Sequence, residues 1–290
     1  MERTPHEPHS ATSGLLRFAI GIGNAPSAIS QLQLPVSVTL NRNALRYNSR
    51  MLSLALDTCD ARGSVAVLRD NTLLQVVAHD TSDDYSVWLL PAVTRVLVAC
   101  ELTFLDVDVY IAAAGPGSFT GVRVGLTTVK AWAEVTAKPI VSVSRLEALA
   151  SEAPGSQPWV ATLTNAQRRQ VFAALYRRHE GLLERVGEET VLAPDKFLAW
   201  AAEAVGGESI EWISTDPQML TETEAWLARQ SVGERVLAPS PILAPAIGRL
   251  GYRLALAKCY ADPLTLDANY VRRSDAEAFW KDRPAPQQAK

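Results

Sequence analysis

"AAAGPGSFTGVRVGLTTVKAWAEV", residues Ala112–Val135, joins three small apolar residues to a glycine–proline turn and then to a long amphipathic run. Small apolar residues before a turn suit the end of a buried strand. Gly115, Pro116 and Gly117 let the backbone turn tightly after it. Ser118 or Thr120 can cap the helix that follows, whose first N–H groups then face outward. Along that helix Val122, Leu126, Val129 and Ala133 form one apolar stripe; Gly121, Gly125, Thr128 and Trp132 form a second beside it. Two roles are open to such a stretch. The turn can cradle a phosphate, or the glycine stripe can let a neighbouring helix approach closely. Gly-Pro-Gly-Ser alone is a weak phosphate signal, so helix placement is the leading reading and phosphate contact the second.

Upstream, "LSLALDT" (Leu52–Thr58) has the character of a buried strand, "RGSVAVLRD" alternates at Val65 and Val67, and "TLLQVVAHD" follows a turn at Asp70–Asn71. Three strands joined by short turns make a meander. A helix is predicted from about Asp84 to Cys100, with Val93, Val96, Leu97 and Cys100 on one stripe and Pro91 marking its first turns or a kink. "VDVYIAAA" is the strand that enters the opening loop. "KPIVSVS" and "RLEALASEA" supply a further strand and helix, with Ser144 as N-cap. The order βββαβαβα predicts a mixed sheet with helices on its faces.

"APGSQP" (Ala153–Pro158) is the natural boundary, and beyond it the pattern partly repeats. "WVATLT", "QVFAALYRR" and "LLERVGEETVLA" form a second meander, followed by a helix from Asp195, the strand "IEWIST" and a helix around "ETEAWLARQ". A last helix, roughly Pro241 to Tyr260, puts Ile247, Leu250, Leu254 and Ala257 on one face. The expected divisions are a first domain over 51–153, a degenerate copy over 154–240, and a C-terminal helix and tail over 241–290 that return to the first domain.

The chain's 290 residues, 48% hydrophobic and 20% charged, are those of an ordinary globular protein. A net charge of −3 argues against a protein that grips nucleic acid alone. Arginine pairs at Arg168–Arg169, Arg177–Arg178 and Arg272–Arg273 are read as solvated faces. Cys59, Cys100 and Cys259 fit neither a disulfide framework nor a zinc spacing, which predicts a reducing, cytoplasmic setting. The four histidines form no helical pair about a carboxylate, which disfavours metal catalysis. No apolar run is long enough to span a bilayer. Residues 1–50, rich in Pro, Ser and Asn and without periodicity, are expected to be a disordered extension or to precede the true start at Met51.

The full string from Ala112 strongly resembles the signature of the TsaB (YeaZ) family. "LALDTCDARGSVAVL" is similar to that family's opening strands, "YSVWLLPAV" to its first helix, and "ANYVRRSDAE" to its closing segment. Tyr85 stands where a His is common. The resemblance covers about Leu52 to Glu277. It implies an α/β, actin-like (ASKHA) fold of two ribonuclease H-like domains, mixed sheets flanked by helices. It also implies an inactive paralogue of TsaD that pairs with TsaD as a heterodimer, supports the ATPase TsaE and reaches tRNA through the complex. That complex forms N6-threonylcarbamoyladenosine at position 37 of tRNAs reading ANN codons. ATP and a metal belong to the partner subunits, and none is required by this one. A weak homodimer is the alternative association.

The resemblance further implies a four-helix interface with TsaD. The residues assigned to it are Tyr85, Trp88, Leu89 and Val93 on the first helix, and Gly121, Val122, Gly125, Leu126, Thr128, Val129 and Trp132 on the second. A vestigial nucleotide site would comprise Asp57, Thr58, Gly115, Gly117 and Ser118. An ATPase of this fold holds magnesium and phosphates between two turns. Here Cys59 and Asp60 follow Asp57 and Thr58 where glycine is usual, and Asn165 replaces an acidic residue in the second turn. No catalytic residue and no metal ligand is assigned. Three readings are carried: a non-catalytic scaffold, an autonomous ATPase or sugar kinase, and a glycoprotease-like metallopeptidase. The fold alone cannot separate them.

Overall fold

The first strand, β1 (Leu52–Asp57), is buried at every position, so its apolar residues face helices on both sides of the sheet. β1 pairs antiparallel with β2 (Ser64–Arg69), which pairs antiparallel with β3 (Thr72–Ala78). On its other edge β1 pairs parallel with β4 (Val109–Ala113), which pairs parallel with β5 (Ile140–Val143). The order is β3-β2-β1-β4-β5. The computed structural model describes residues 50–231 and 233–272. The expected extension over 1–50 lies outside these residues up to position 49, as does the tail beyond 272.

The second sheet repeats the first. β6 (Trp159–Asn165), β7 (Val171–His179) and β8 (Leu182–Leu192) form the meander; β9 (Ile210–Ser214) and β10 (Val236–Leu237) add parallel strands beside β6. Its order, β10-β9-β6-β7-β8, is that of the first sheet written from the other edge. This duplicated arrangement is the two-part ribonuclease H-like, actin-like architecture expected. The two-residue β10 has no period to read and escapes prediction.

Helices α1 (Tyr85–Ala99) and α2 (Phe119–Thr136) cover one face of the first sheet, and α7 (Ala244–Leu256) the other. Neighbouring residues of β4 show the two sides. Tyr110 lies against Trp132 of α2, whereas Ile111 lies against Gly251 of α7. α3 (Arg145–Ala150) packs on α7 and on the inner face of the second sheet. α4 (Pro194–Val205), the short α5 (Gln218–Thr221) and α6 (Glu224–Gln230) close the outer face around Phe197, Trp212 and Trp226.

α7 is shorter than the predicted run over 241–260. Ile247 and Leu250 are buried as expected, but Ala257 lies past the helix end and is exposed, and Ala255 takes the inner position. Gly248 and Gly251 meet Leu68 and Ile111, where a Cβ would come within 2.3 Å of either side chain. Among the described residues, no helix is long and apolar enough to cross a membrane.

Candidate functional site

The turn between β1 and β2 is the hub of the first half. Asp57 Oδ1 accepts the Cys59 N–H at 2.9 Å, and Thr58 Oγ1 donates to Gly121 O at 2.7 Å. The loop from Gly115 to Ser118 folds over this turn: Ser118 N–H donates to Cys59 O at 2.7 Å. A Cβ at Gly117 would stand 2.2 Å from the same carbonyl oxygen, so only glycine fits there. Ser118 caps α2, its Oγ accepting from Gly121 N–H, and Thr120 does not. These contacts fix the start of α2 against the β1–β2 turn.

Asp57 is fully buried and forms an ion pair with Arg145 Nε at 3.1 Å. Arg145, the first residue of α3, is also buried, and its Nη2 reaches Asp60 at 3.2 Å. Asp60 in turn binds Arg62 at 2.9 Å, and Arg62 binds Asp216 at 3.0 Å and the Thr215 carbonyl at 3.2 Å. A continuous chain of opposite charges thus joins the β1–β2 turn to the end of β9 in the other sheet. Burial would lower the Arg145 pKa, but Asp57 and Asp60 overcome that and hold it above the usual arginine value. Burial works against the charged form of Asp60 as well; Arg145 and Arg62 prevail and hold it below the usual carboxylate range.

These contacts decide the fit of a magnesium ion. The two carboxylates of the first turn both face guanidinium groups, and Asn165 of the second turn accepts Gln167 N–H at 2.7 Å. A divalent cation would have to displace Arg145 from a buried ion pair, so the residues do not fit the metal–phosphate site of an ATPase. Among the described residues, no three metal-ligating side chains converge elsewhere.

A cleft of about 990 Å³ opens between the two turns. Gly117 and Ser118 line it, whereas Asp57, Thr58 and Gly115 of the proposed nucleotide set do not. The assigned nucleotide set is therefore not assembled at the cleft: Asp57 and Thr58 are 0% and 1% exposed, and Gly115 lies under the Asn269 carbonyl. The wall is built instead from residues assigned to no nucleotide site in the sequence, including Arg123, Arg145, Phe172, Tyr270 and Arg272. The segment after α7 crosses the cleft. Asn269 N–H donates to Ala114 O at 2.7 Å, and Arg272 donates to Ala166 O at 2.6 Å.

The residues assigned to a partner interface separate into two groups. Gly121 and Gly125 face inward: a Cβ at Gly121 would stand 2.0 Å from Thr58 O, and at Gly125 2.4 Å from Thr58 Oγ1. Trp88, Leu89, Val93, Val122, Leu126 and Val129 are buried against the sheet, so they support α1 and α2 from beneath. Tyr85 is tied to the hub, its hydroxyl donating to Asp60 O and accepting from Gly63 N–H. Burial, helped by Asp57, raises the Tyr85 pKa above the usual phenol value. Of the assigned set, Thr128 and Trp132 remain half-buried at the surface. The outer face carries other apolar residues: Val87, Leu90 and Val98 on α1, and Val135 on α2.

The family model described as TsaD, tRNA N6-adenosine threonylcarbamoyltransferase, matches residues 67–227. The tRNA threonylcarbamoyladenosine biosynthesis protein TsaB of Bacillus subtilis is 30% identical over 241 residues, 79% of this chain and 98% of that protein. The chain belongs to the TsaB family of tRNA threonylcarbamoyladenosine biosynthesis proteins. TsaB of Escherichia coli is 29% identical over 201 residues, covering 68% of this chain and 82% of that one. The structure of YeaZ from Pseudomonas aeruginosa superposes with a TM-score of 0.59 at 25% identity, over 76% of this chain and 99% of that one.

Proposed function

We propose that this chain is the non-catalytic partner subunit of the complex that forms N6-threonylcarbamoyladenosine on tRNA, and that it docks TsaD through the outer face of α1 and α2. One observation carries the reading. Val87, Leu90 and Val98 are 65%, 57% and 67% exposed at helical spacing along α1, and Val135 is 84% exposed on α2. Between the helices a groove of about 500 Å³ is lined by Leu90, Thr94, Val98, Phe104 and Trp132. An apolar face of this kind marks a surface that another protein covers.

TsaD is the occupant that this face suits. The TsaD family model aligns with residues 67–227, a span that includes α1 and α2, which supports the reading that TsaD carries a corresponding helix pair. Related helix pairs can meet about a pseudo-twofold axis as a four-helix contact. TsaE and tRNA would then enter through TsaD, with ATP and metal held by the partner subunits. The kinase reading has the ion pairs of Asp57 and Asp60 against it.

Titration calorimetry of the full chain with TsaD from the same source, followed by a tRNA modification assay, tests the proposal. Leu90→Asp and Val135→Asp place a charge at exposed positions and should leave the fold intact. Each is expected to cost about 2 kcal/mol of binding, roughly thirtyfold. If both variants bind TsaD as the parent does, this face is not the interface. If they instead abolish self-association alone, the face belongs to a homodimer.

A further inference from the structure

We infer that the segment 261–272 is a strap that fixes the angle between the two sheets, and that the contact of Asn269 with Glu189 is its buckle. The segment follows α7, has no run of helix or strand, and contains no buried residue. Its polar groups nevertheless reach both halves. Ala261 N–H donates to Ile140 O at 2.9 Å and forms a single antiparallel bridge beside β5 of the first sheet. Asn269 N–H donates to Ala114 O, just past the end of β4, at 2.7 Å. Arg272 ends the crossing on the second sheet, where it donates to Ala166 O at 2.6 Å and to Gln170 Oε1 in the β6–β7 turn.

The buckle is a buried carboxylate. Glu189 belongs to β8, and its side chain is 3% exposed although the strand lies at the edge of its sheet. One oxygen accepts from Ser144 Oγ, at the junction of β5 and α3; the other accepts from Asn269 Nδ2. Arg185, 3.4 Å away on the same strand, adds charge but no link between the halves. A single carboxylate thus ties β8 both to the end of a first-sheet strand and to the strap. Hydrogen bonds to a buried charge are stronger than neutral ones, and losing one leaves the carboxylate short of a donor it cannot replace with water.

Position gives the strap its leverage. Asn269, Tyr270, Val271 and Arg272 line the cleft, so their contacts span the gap that a hinge motion would widen. The Tyr270 ring lies 5.3 Å from that of Phe119, and its hydroxyl accepts from Arg123 Nε at 2.6 Å, which fastens the strap to the start of α2. Leu266, Ala268 and Val271 rest half-buried on the main core. Polar anchors with little apolar burial describe an element that can release while the sheets beneath it stay folded. The Arg62–Asp216 pair joins the halves at one further point. One tie leaves rotation about it free, and a strap fastened on both sides removes that freedom.

Pulsed dipolar spectroscopy on the full chain tests this. Spin labels at Thr127 of α2 and Glu184 of β8, both exposed, report the distance between the halves once Cys100 and Cys259 are replaced by Ser; Cys59 is 1% exposed and stays unlabelled. The parent should give one narrow distance. Asn269→Asp sets a carboxylate against Glu189; it should broaden the distribution and shift it by about 2 Å or more, with circular dichroism unchanged. Adding Glu189→Gln restores an amide–carboxylate pair with donor and acceptor exchanged, and the narrow distance should return, a rescue that a general loss of stability would not show. If Asn269→Asp does not fold, Arg272→Ala, which removes the anchor on the β6–β7 turn, must give the broadening. A parental distance in the folded variants, a broad distribution already in the parent, no rescue by Glu189→Gln, or unfolding of both single variants would each overturn the inference. The measurement contains no TsaD, so its outcome is independent of the docking proposal.

Discussion

Gly125→Ala adds one methyl group to the inner side of α2. Its Cβ would stand 2.4 Å from Thr58 Oγ1, well inside van der Waals contact. Thr58 is 1% exposed and its hydroxyl holds Gly121 O at 2.7 Å, so it cannot turn away without breaking that bond. Overpacking costs about 1–3 kcal/mol. Loss of the buried hydrogen bond adds about 1 kcal/mol, and the better helix propensity of alanine returns about 1 kcal/mol. The expected net loss is about 1–3 kcal/mol, read from urea denaturation. In a Thr58→Ala background the obstructing oxygen is gone and the Thr58 Cβ lies 3.6 Å away, an ordinary contact. There Gly125→Ala should be neutral or slightly stabilising, a coupling of about 2 kcal/mol across the cycle. Gly121→Ala serves as contrast. Its Cβ would meet the Thr58 backbone oxygen at 2.0 Å, so Thr58→Ala should not rescue it. Parental stability for Gly125→Ala, or an equal loss in both backgrounds, would refute the packing of α2 on Thr58 and return the glycines to an external face.

Arg145→Met should destabilise the fold by about 3–5 kcal/mol in urea titrations, because Asp57 is left buried without its partner; adding Asp57→Asn should recover most of the loss. Asp60 has a folded pKa held below its ordinary 3.8 by Arg145 and Arg62 against the opposing effect of burial. Its contribution is therefore present above the unfolded value and lost as pH falls through the folded one, and Asp60→Asn should remove that part of the acid-induced loss of stability seen below about pH 4. Steady-state phosphate release from ATP by the isolated chain should stay at background with magnesium, and Asp57→Ala should leave it there; turnover abolished by Asp57→Ala would restore the kinase reading.

Much of the architecture is legible because strand and helix periods differ and turns carry their own chemistry. The buried run Leu52–Asp57, the small residues before Gly115 and the second meander after Pro158 each announce an element, and together they announce a duplication. The faces of α1 are not legible. Val87, Trp88, Leu89 and Leu90 are consecutive and apolar, so periodicity offers no way to tell the residues that meet the sheet from those that meet solvent. The glycine stripe misleads for a related reason. The stripe does mark a close approach, but the neighbour is Thr58 of the same chain, 63 residues before the Gly121 carbonyl that it binds. The cleft wall is the least legible part. Arg145 is separated from Asp57 by 88 residues and Arg123 from Tyr270 by 147, and each looks, in its own segment, like a solvated helix residue. Long-range pairing of charges and rings is set by topology, which local pattern does not encode.

The poor fit for a metal at the first turn and the anchoring of α1 have one structural origin. Tyr85 begins α1, and its hydroxyl is held by the backbone of Asp60 and Gly63. The Asp60 carboxylate is held in turn by Arg145 and by Arg62, which reaches across to Asp216. The start of α1 is therefore fastened to the same ionic chain that joins the two sheets. Kinases open and close their halves around a ligand, and carboxylates left free for magnesium suit that movement. Here the same carboxylates face guanidinium groups that tie the halves together and steady the start of α1. Under the proposed docking role this arrangement favours association, because an interface helix fixed before docking loses less entropy on binding. Arg145→Met should consequently weaken TsaD binding beyond its effect on stability, even though Arg145 is buried and is not part of the exposed face of α1. A variant that stays folded and binds TsaD with parental affinity would show that α1 is positioned by the sheet alone.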